Sequence, residues 1–221
     1  MNIAENIRKY REMVPANVEI VAVSKFHPVS AIMETYEAGQ RSFGESRVQE
    51  FLEKEKMMPS DIKWHFIGHL QTNKVKPIIG KTSLIESVDS IRLLELIERE
   101  SAKAGVVTSI LLQVHVAAEE EKFGFFPDEL KEYLKEGSFR NLKNVNICGI
   151  MGMATNTEDG NRVRADFAAL HSIYQEVKDM YGSELPKFRH LSMGMSGDWP
   201  IAVEEGADIV RIGSAIFGDR I

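Results

Sequence analysis

The sequence predicts an α/β fold, a single (β/α)8 barrel of the TIM type with an extra helix at its N-terminus. Short β-branched runs alternate with amphipathic segments along the chain, which is typical of βα units that wind a parallel sheet. We count eight such runs, and eight βα units close a barrel. The length of 221 residues suits one large core, so we expect residues 1–221 to form one ligand-binding domain.

The eight strands are predicted from apolar runs that turn residues separate. The first run begins at Val18, and its β-branched composition is typical of a strand that is buried on both faces. In chain order, the predicted strands cover residues 19–24, 42–44, 65–68, 84–88, 110–116, 146–151, 190–193 and 209–212.

Capping residues predict the helices between these strands. An amphipathic helix over residues 3–13 precedes the first strand. Pro28 and Gly39 stand near the start and at the end of the next helix, which is the order that a capped helix prefers. Similar signals of capping and helical spacing predict further helices over residues 89–105, from residue 127 onward, and over residues 160–181.

Composition and charge exclude several classes of function. The net charge of −6 gives no basic surface of the kind that binds nucleic acid. The first ten residues contain no apolar signal segment, and no apolar run approaches the roughly 20 residues that span a bilayer. We therefore expect a cytoplasmic protein without a membrane or nucleic-acid partner and, because no exposed apolar stripe stands out, a monomer. The single cysteine, Cys148, lies within a predicted strand and is expected to be a buried thiol.

Lys25 is the first candidate for chemistry, because it follows the first predicted strand directly. The carboxyl ends of barrel strands are the place where such folds bind ligands. A lysine at that edge can form a covalent bond with a carbonyl compound. The alternative interpretation is an ordinary solvated lysine that closes a strand.

Two glycine-containing loops predict a phosphate site. Barrels of this type commonly hold a phosphate with the loops after the seventh and eighth strands. After the seventh strand, Ser196 offers a hydroxyl between two glycines; after the eighth, Gly213 allows close backbone approach and Ser214 offers a second hydroxyl. The alternative is a pair of ordinary glycine turns.

Arg211 is unusual because it lies inside the eighth predicted strand. The alternation of the strand directs its side chain into the barrel or towards the site, where a guanidinium needs a hydrogen-bonding partner. One interpretation is an ion pair with Glu204, Glu205 or Asp208 at the edge of the sheet. The other is a contact with a ligand, for example with a ring nitrogen.

A lysine and a phosphate site at one edge of a barrel suggest a ligand that is both a carbonyl compound and a phosphate ester. Pyridoxal 5′-phosphate (PLP) fits this description, and a phosphorylated sugar in a Schiff-base aldolase fits it as well. The residues considered so far leave both alternatives open.

The sequence also resembles the family of pyridoxal phosphate homeostasis proteins, once called proline synthetase co-transcribed homologues. The resemblance covers nearly the whole chain, and its motifs follow one another in the family's order. They are Ala-Val-Ser-Lys at 22–25, Phe-Gly-Glu-Ser-Arg-Val-Gln-Glu at 43–50, Trp-His-Phe-Ile-Gly-His-Leu-Gln-Thr-Asn-Lys at 64–74, Lys-Phe-Gly at 122–124, Gly-Ile-Met-Gly-Met at 149–153, Met-Gly-Met-Ser-Gly-Asp at 193–198 and Val-Arg-Ile-Gly at 210–213.

The resemblance implies a role for each candidate residue. Lys25 corresponds to the lysine that forms the Schiff base with PLP, and Arg211 to the partner of the pyridine nitrogen. The phosphate site corresponds to Ser196, Gly213 and Ser214. Three further positions are implied near the cofactor: Ser46, where the family usually has Asn, and His69 and Met151, for which ordinary packing is the alternative.

The expected function is a PLP carrier with little or no catalysis, which supplies the cofactor to PLP-dependent apoenzymes. Arginine does not give up its proton to the pyridine nitrogen, which weakens the cofactor as an electron sink. The barrel also resembles the first domain of alanine racemase, where a second domain brings a second base; from the last predicted strand at 209–212 and the end of the sequence at Ile221 we expect no such domain here, and so no two-base racemisation unless a partner chain supplies that base. An amino-acid racemase and a Schiff-base phosphosugar aldolase are the alternative functions.

Overall fold

The computed structural model describes residues 2–119 and 121–218, and within them eight parallel strands form a closed barrel. Each strand pairs with the next one in the chain, and β8 pairs with β1, which closes the ring. The strands are β1 Glu19–Val23, β2 Ser42–Glu45, β3 Lys63–Phe66, β4 Leu84–Val88, β5 Thr108–Gln113, β6 Val145–Met151, β7 His190–Ser192 and β8 Ile209–Ile212. The predicted fold class, including the N-terminal helix, is confirmed.

Helices follow the strands and cover the outside of the barrel. They are α1 Ile3–Met13, α2 Val29–Glu37, α3 Val48–Met57, α4 Ile91–Ala104, α5 Pro127–Glu136, α6 Gly160–Tyr181, α7 Trp199–Glu204 and α8 Ser214–Phe217. The sequence places their ends: the Ser90 hydroxyl accepts from the Leu93 N–H at the start of α4, and Gly105 ends that helix with a left-handed φ of 67°. In the part of the chain that the structure describes, no helix combines the length and the apolar character that crossing a membrane requires.

Six strands differ from their predicted bounds: β1, β2, β6 and β7 by one residue at one end, and β3 and β5 by more. β3 begins at Lys63, which pairs with Ser42 although its side chain is exposed, so an apolar run does not reveal this start. β5 begins at Thr108 and ends at Gln113; beyond it, the Val114 N–H still donates to the Met151 carbonyl at 2.8 Å, but the bridge partner of Val114 is Phe125. The pairing partner, rather than hydrophobicity, sets both boundaries.

Apolar side chains pack on both surfaces of the barrel wall. The larger cluster lies between the strands and the helices, and it contains Ala22, Val210 and Ile212. A smaller cluster contains residues from the opposite face of β1, β4, β5, β6 and β8. They are Val21, Leu84, Leu111, Cys148, Met151 and Ile209. Because neighbouring residues of one strand point to opposite faces, the smaller cluster occupies the inside of the barrel. Cys148 is buried there, and this burial raises the pKa of its thiol.

The glycine in the middle of β6 is required by its close approach to β7. Gly149 pairs with His190, and its φ of 152° is a conformation that other residues rarely adopt. A Cβ atom at this position would lie 1.9 Å from the carbonyl oxygen of His190. This contact with backbone leaves no room for a side chain between the two strands.

We predict that Gly149→Ala destabilises the protein by about 3 kcal/mol, because β6 and β7 must separate to admit the methyl group. Urea unfolding followed by circular dichroism measures the effect. Gly160→Ala is the control, since its Cβ would meet Ile201 Cδ1 at an ordinary 3.6 Å. Equal stability of the two variants would contradict the assignment.

Candidate functional site

A cavity of about 290 Å³ opens at the carboxyl ends of β1, β2, β7 and β8. Its lining includes two aliphatic side chains of the barrel mouth, Val23 and Ile67, and two methionines, Met153 and Met195. Six of the residues predicted from the sequence also line it: Lys25, Ser46, Ser196, Arg211, Gly213 and Ser214. The closed barrel therefore brings together residues that are up to 189 positions apart in the sequence (214 − 25).

Lys25 lies in a turn directly after β1. The Ser24 N–H donates to the Gly44 carbonyl at 3.0 Å, which continues the pairing with β2, and the His27 N–H donates to the Ser24 carbonyl at 3.1 Å. Lys25 is half-buried and faces the cavity from the end of the strand. Its side chain thus leaves the barrel wall at the edge where the sequence predicts a ligand.

A hydrogen bond joins the two loops of the predicted phosphate site. The Gly213 N–H donates to the Ser196 hydroxyl oxygen at 3.2 Å. Because this oxygen accepts, the hydroxyl hydrogen of Ser196 is available to an anion in the cavity. A Cβ at Gly213 would lie 3.3 Å from the Val23 carbonyl oxygen, so a glycine here lets the loop lie close to the end of β1. The two loops of the predicted phosphate site and Lys25 are therefore neighbours.

Arg211 lies at the boundary between the cavity and the barrel interior, and only 4% of its surface is exposed. Its Nη1 donates to the Ser192 hydroxyl at 2.6 Å, and its Nη2 donates to the Gly152 carbonyl at 2.9 Å. The Ser192 hydroxyl in turn donates to Glu86 Oε2 at 2.6 Å, and the same carboxylate oxygen lies 3.7 Å from Arg211 Nη1. The guanidinium is thus held in one orientation by groups from β4, β6 and β7.

The ion-pair partner of Arg211 is none of the three that the sequence suggests, Glu204, Glu205 and Asp208. Glu204 and Glu205 pair with Arg164 on the surface, and Asp208 pairs with His190. The partner is Glu86, because residues of β4 and β8 on the inner face meet across the barrel. Glu86 is an acidic residue within the predicted strand at 84–88, and this was the available sign of a buried ion pair. The sequence does not show which strands face each other, so it could not identify Arg211 as the partner.

Polar contacts continue from Glu86 towards the opposite end of the barrel. His65 Nδ1 donates to Glu86 Oε1 at 2.6 Å, and its Nε2 lies 3.9 Å from Glu19 Oε1 at the start of β1. Burial alone would raise the pKa of Glu86, but hydrogen bonds and charges from His65, Arg211 and Ser192 outweigh it and lower this pKa. Glu86 is therefore ionised at neutral pH and compensates the charge of Arg211.

Three remaining predicted positions have different surroundings. Ser46, just after β2, lines the cavity. His69 lies outside the cavity lining: its Nδ1 is 2.9 Å from Asp89 Oδ2, and its ring stacks on Phe123 with 3.7 Å between centroids. Met151 packs in the apolar cluster inside the barrel. The structure therefore brings Ser46 to the mouth of the cavity and gives His69 and Met151 other contacts.

The barrel, with a lysine after β1 and an arginine in β8, belongs to the class of the alanine racemase N-terminal domain. The family model of that domain matches residues 1–221. An alanine racemase of Clostridium difficile has a TM-score of 0.78 over 99% of this chain and 56% of its own, at 12% identity. At that identity the likeness shows the fold alone.

Nearer relatives define the family. The pyridoxal phosphate homeostasis protein of Aquifex aeolicus is 40% identical over 100% of this chain and 99% of its own length. PipY of Synechococcus elongatus, whose structure was determined with PLP bound, is 36% identical with a TM-score of 0.87, and the match covers 98% of this chain and all of PipY. The chain belongs to the pyridoxal phosphate homeostasis protein family.

We predict that Glu86→Gln lowers the free energy of unfolding at pH 7 by about 3–5 kcal/mol, because Arg211 loses its buried counterion. Denaturant unfolding measures this loss. Glu55→Gln, which removes the surface pair with Lys81, is the control and should cost less than about 1 kcal/mol.

A comparison of wild type with Glu86→Gln also tests how the contribution of Glu86 to stability depends on pH. The pKa of Glu86 in the folded state lies below the ordinary value of 4.5, so its contribution is complete above that value and is lost as the pH falls through the folded pKa. The stability difference between wild type and Glu86→Gln should therefore shrink on acidification below pH 4.5. A difference that is constant from pH 7 to acid unfolding would refute the assigned charge of Glu86.

Proposed function

We propose that this protein binds PLP as a reversible Schiff base on Lys25 and serves the intracellular supply of this cofactor, with little or no catalysis. The observation that carries the proposal is the meeting of Lys25, Arg211 and the Ser196–Gly213 loop pair in one cavity. An amine, a cation and a group of anion-binding donors at one place match an aromatic aldehyde that carries a phosphate ester. The names of the relatives and the PLP-bound PipY support the same ligand.

The cavity fits the size and chemistry of this ligand. Its volume of about 290 Å³ is near the lower end of the range of roughly 300–1,000 Å³ for small-molecule sites. The lining combines apolar surface from Val23, Ile67, Met153 and Met195 with polar groups that can orient a ligand, as small-molecule sites do.

Each of the six predicted residues that line the cavity has a role in this proposal. Lys25 would hold the ligand covalently, because an amine and an aldehyde form a Schiff base with loss of one water molecule. Ser196, Gly213 and Ser214 hold the phosphate through hydroxyl and backbone N–H donors. Arg211 faces the pyridine nitrogen, and Ser46 contacts the ligand from the end of β2. We assign no ligand contact to His69 or Met151.

The proposed lack of catalysis rests on Arg211. Bound PLP supplies an electron sink, and its strength increases when the pyridine nitrogen is protonated. Burial lowers the pKa of Arg211 from 12.5, and the carboxylates of Glu86 and Asp198 oppose this shift. Arg211 nevertheless keeps its proton, because a guanidinium stays protonated in proteins and the Glu86 carboxylate favours its charged form. A guanidinium fixed by Ser192 and Gly152 therefore binds the nitrogen without protonating it.

The proposed setting is the cytoplasm, and the proposed recipients are PLP-dependent apoenzymes. A reversible bond to one lysine keeps an aldehyde away from other amines and allows its release to a protein that binds it more tightly. Among the described residues, seven large apolar side chains are exposed: Met13, Met57, Val107, Phe123, Phe126, Met180 and Met195. Phe123 and Phe126 share the segment between β5 and α5, and the other five lie on separate segments, which suits a monomer.

We predict that borohydride reduction of the protein incubated with PLP attaches one pyridoxyl group to Lys25, and that Lys25→Ala abolishes both the adduct and the absorbance of the Schiff base. Peptide mass spectrometry and absorption spectra check this result. Lys74→Ala, which removes an exposed lysine, is the control and should label as the wild type does. Labelling at another lysine alone would overturn the assignment.

The two alternative functions have measurable consequences in the same protein. A racemase interconverts L- and D-alanine much faster than free PLP does, and a Schiff-base aldolase is trapped by borohydride with a sugar phosphate such as fructose 1,6-bisphosphate. We expect alanine racemisation close to the rate with free PLP, because Arg211 does not protonate the ring, and no sugar adduct. Rapid racemisation or a sugar adduct on Lys25 would contradict the carrier function.

A further inference from the structure

A buried ion cluster lies beneath the turn that carries Lys25. Its centre is Lys54 on α3, which is 5% exposed. The Lys54 ammonium lies 2.7 Å from Glu45 Oε1 and 2.6 Å from Glu50 Oε1. Glu45 is the last residue of β2, and Glu50 lies one helical turn before Lys54. Burying a lysine is costly unless it is paired, so such a cluster needs a reason to persist at this place.

The cluster binds the backbone on both sides of Lys25. The Lys54 ammonium donates to the Ser24 carbonyl at 2.8 Å, and the Phe26 N–H donates to Glu50 Oε1 at 2.6 Å. The Ser24 hydroxyl adds a third contact, to Glu45 Oε1 at 2.6 Å. The residues immediately before and after Lys25 are thus fixed by charged groups of β2 and α3.

The backbone after Lys25 needs such support. Phe26 has a φ of 68°, which among the described residues makes it the one non-glycine residue with positive φ. A bulky residue adopts this conformation only when its surroundings impose it. Glu50 binds its N–H, and the guanidinium of Arg47 lies 4.5 Å from the centre of its ring. The sharp turn at Phe26 redirects the chain immediately after Lys25.

We propose that Lys54 is a positioning residue that, with Glu50, fixes the direction in which Lys25 enters the cavity. This inference rests on the proposed function and deepens it by separating two stages of binding. β1 lies between β8, whose loop belongs to the phosphate site, and β2, which carries Glu45. The phosphate loops hold the ligand from one side of Lys25, and the ion cluster orients the amine from the other side. The cluster therefore acts on formation of the C=N bond and not on the preceding noncovalent binding.

The test compares PLP with pyridoxine 5′-phosphate, which has an alcohol in place of the aldehyde and forms no Schiff base. Lys54→Met keeps the apolar stem and removes the ammonium. We expect Schiff-base formation with PLP, followed by absorbance after mixing, to slow about tenfold or more, because misdirected reacting groups lose effective concentration. The dissociation constant of pyridoxine 5′-phosphate should change less than about twofold, because the phosphate loops are unaltered.

Two further variants complete the experiment. Glu50→Ala removes the acceptor of the Phe26 N–H but keeps the Lys54–Glu45 pair, so it gives the same result even where Lys54→Met does not fold. Lys56→Met, at an exposed position of the same helix, is the matched control and should behave as the wild type. Ser196→Ala removes a hydroxyl of the phosphate site. In this variant, unlike the cluster variants, the dissociation constant of pyridoxine 5′-phosphate should rise.

The outcomes separate this inference from the proposed function. Wild-type rates of Schiff-base formation in both cluster variants would overturn the positioning role of Lys54, and so would an equal weakening of pyridoxine 5′-phosphate binding, which indicates general structural damage. If the wild-type protein forms no Schiff base with PLP, the proposed function itself fails. Slower bond formation with unchanged binding of the alcohol supports both.

Discussion

The carboxylate of Glu86 lies inside the barrel between His65 and Ser192, and the position of Arg211 depends on it. A guanidinium without a counterion would be too costly at this depth, so the pair allows a cation at the boundary between the interior and the cavity. Because Ser192 and Gly152 also bind it, Arg211 has one orientation. The cavity is therefore polar at its floor, while Val21 and Met151 belong to an apolar cluster on the same inner face.

Lys25 occupies a strand end with support on two sides. On the side of β8, Gly213 approaches the end of β1 and joins Ser196 to the same edge. On the side of β2, Lys54 and Glu50 bind the backbone around Lys25. Neither group of contacts is local in sequence, yet both follow from the order of the strands, because closure of the barrel makes β8 and β2 the two neighbours of β1.

The sequence was sufficient for the fold and for the positions of Lys25, Ser196 and Gly213 at strand ends, because hydrophobic periodicity and the rule of carboxyl-end sites depend on local pattern. It was insufficient for Glu86 and Lys54. Both are charged residues in segments that otherwise pack against apolar neighbours. Glu86 pairs with Arg211, 125 positions away (211 − 86), and Lys54 donates to the Ser24 carbonyl, 30 positions away (54 − 24). Such pairings depend on strand register and on which residues face across the barrel, which no local pattern contains.

The one cysteine of the sequence, Cys148, illustrates a different property of the barrel wall. Its thiol donates to the Asn146 carbonyl at 3.4 Å, and burial keeps it protonated at neutral pH. A protonated thiol adds slowly to electrophiles and resists oxidation to sulfenic acid. Cys148 is buried in the middle of β6 and is absent from the lining of the cavity, so its thiol does not compete with the Lys25 amine for an aldehyde that enters there.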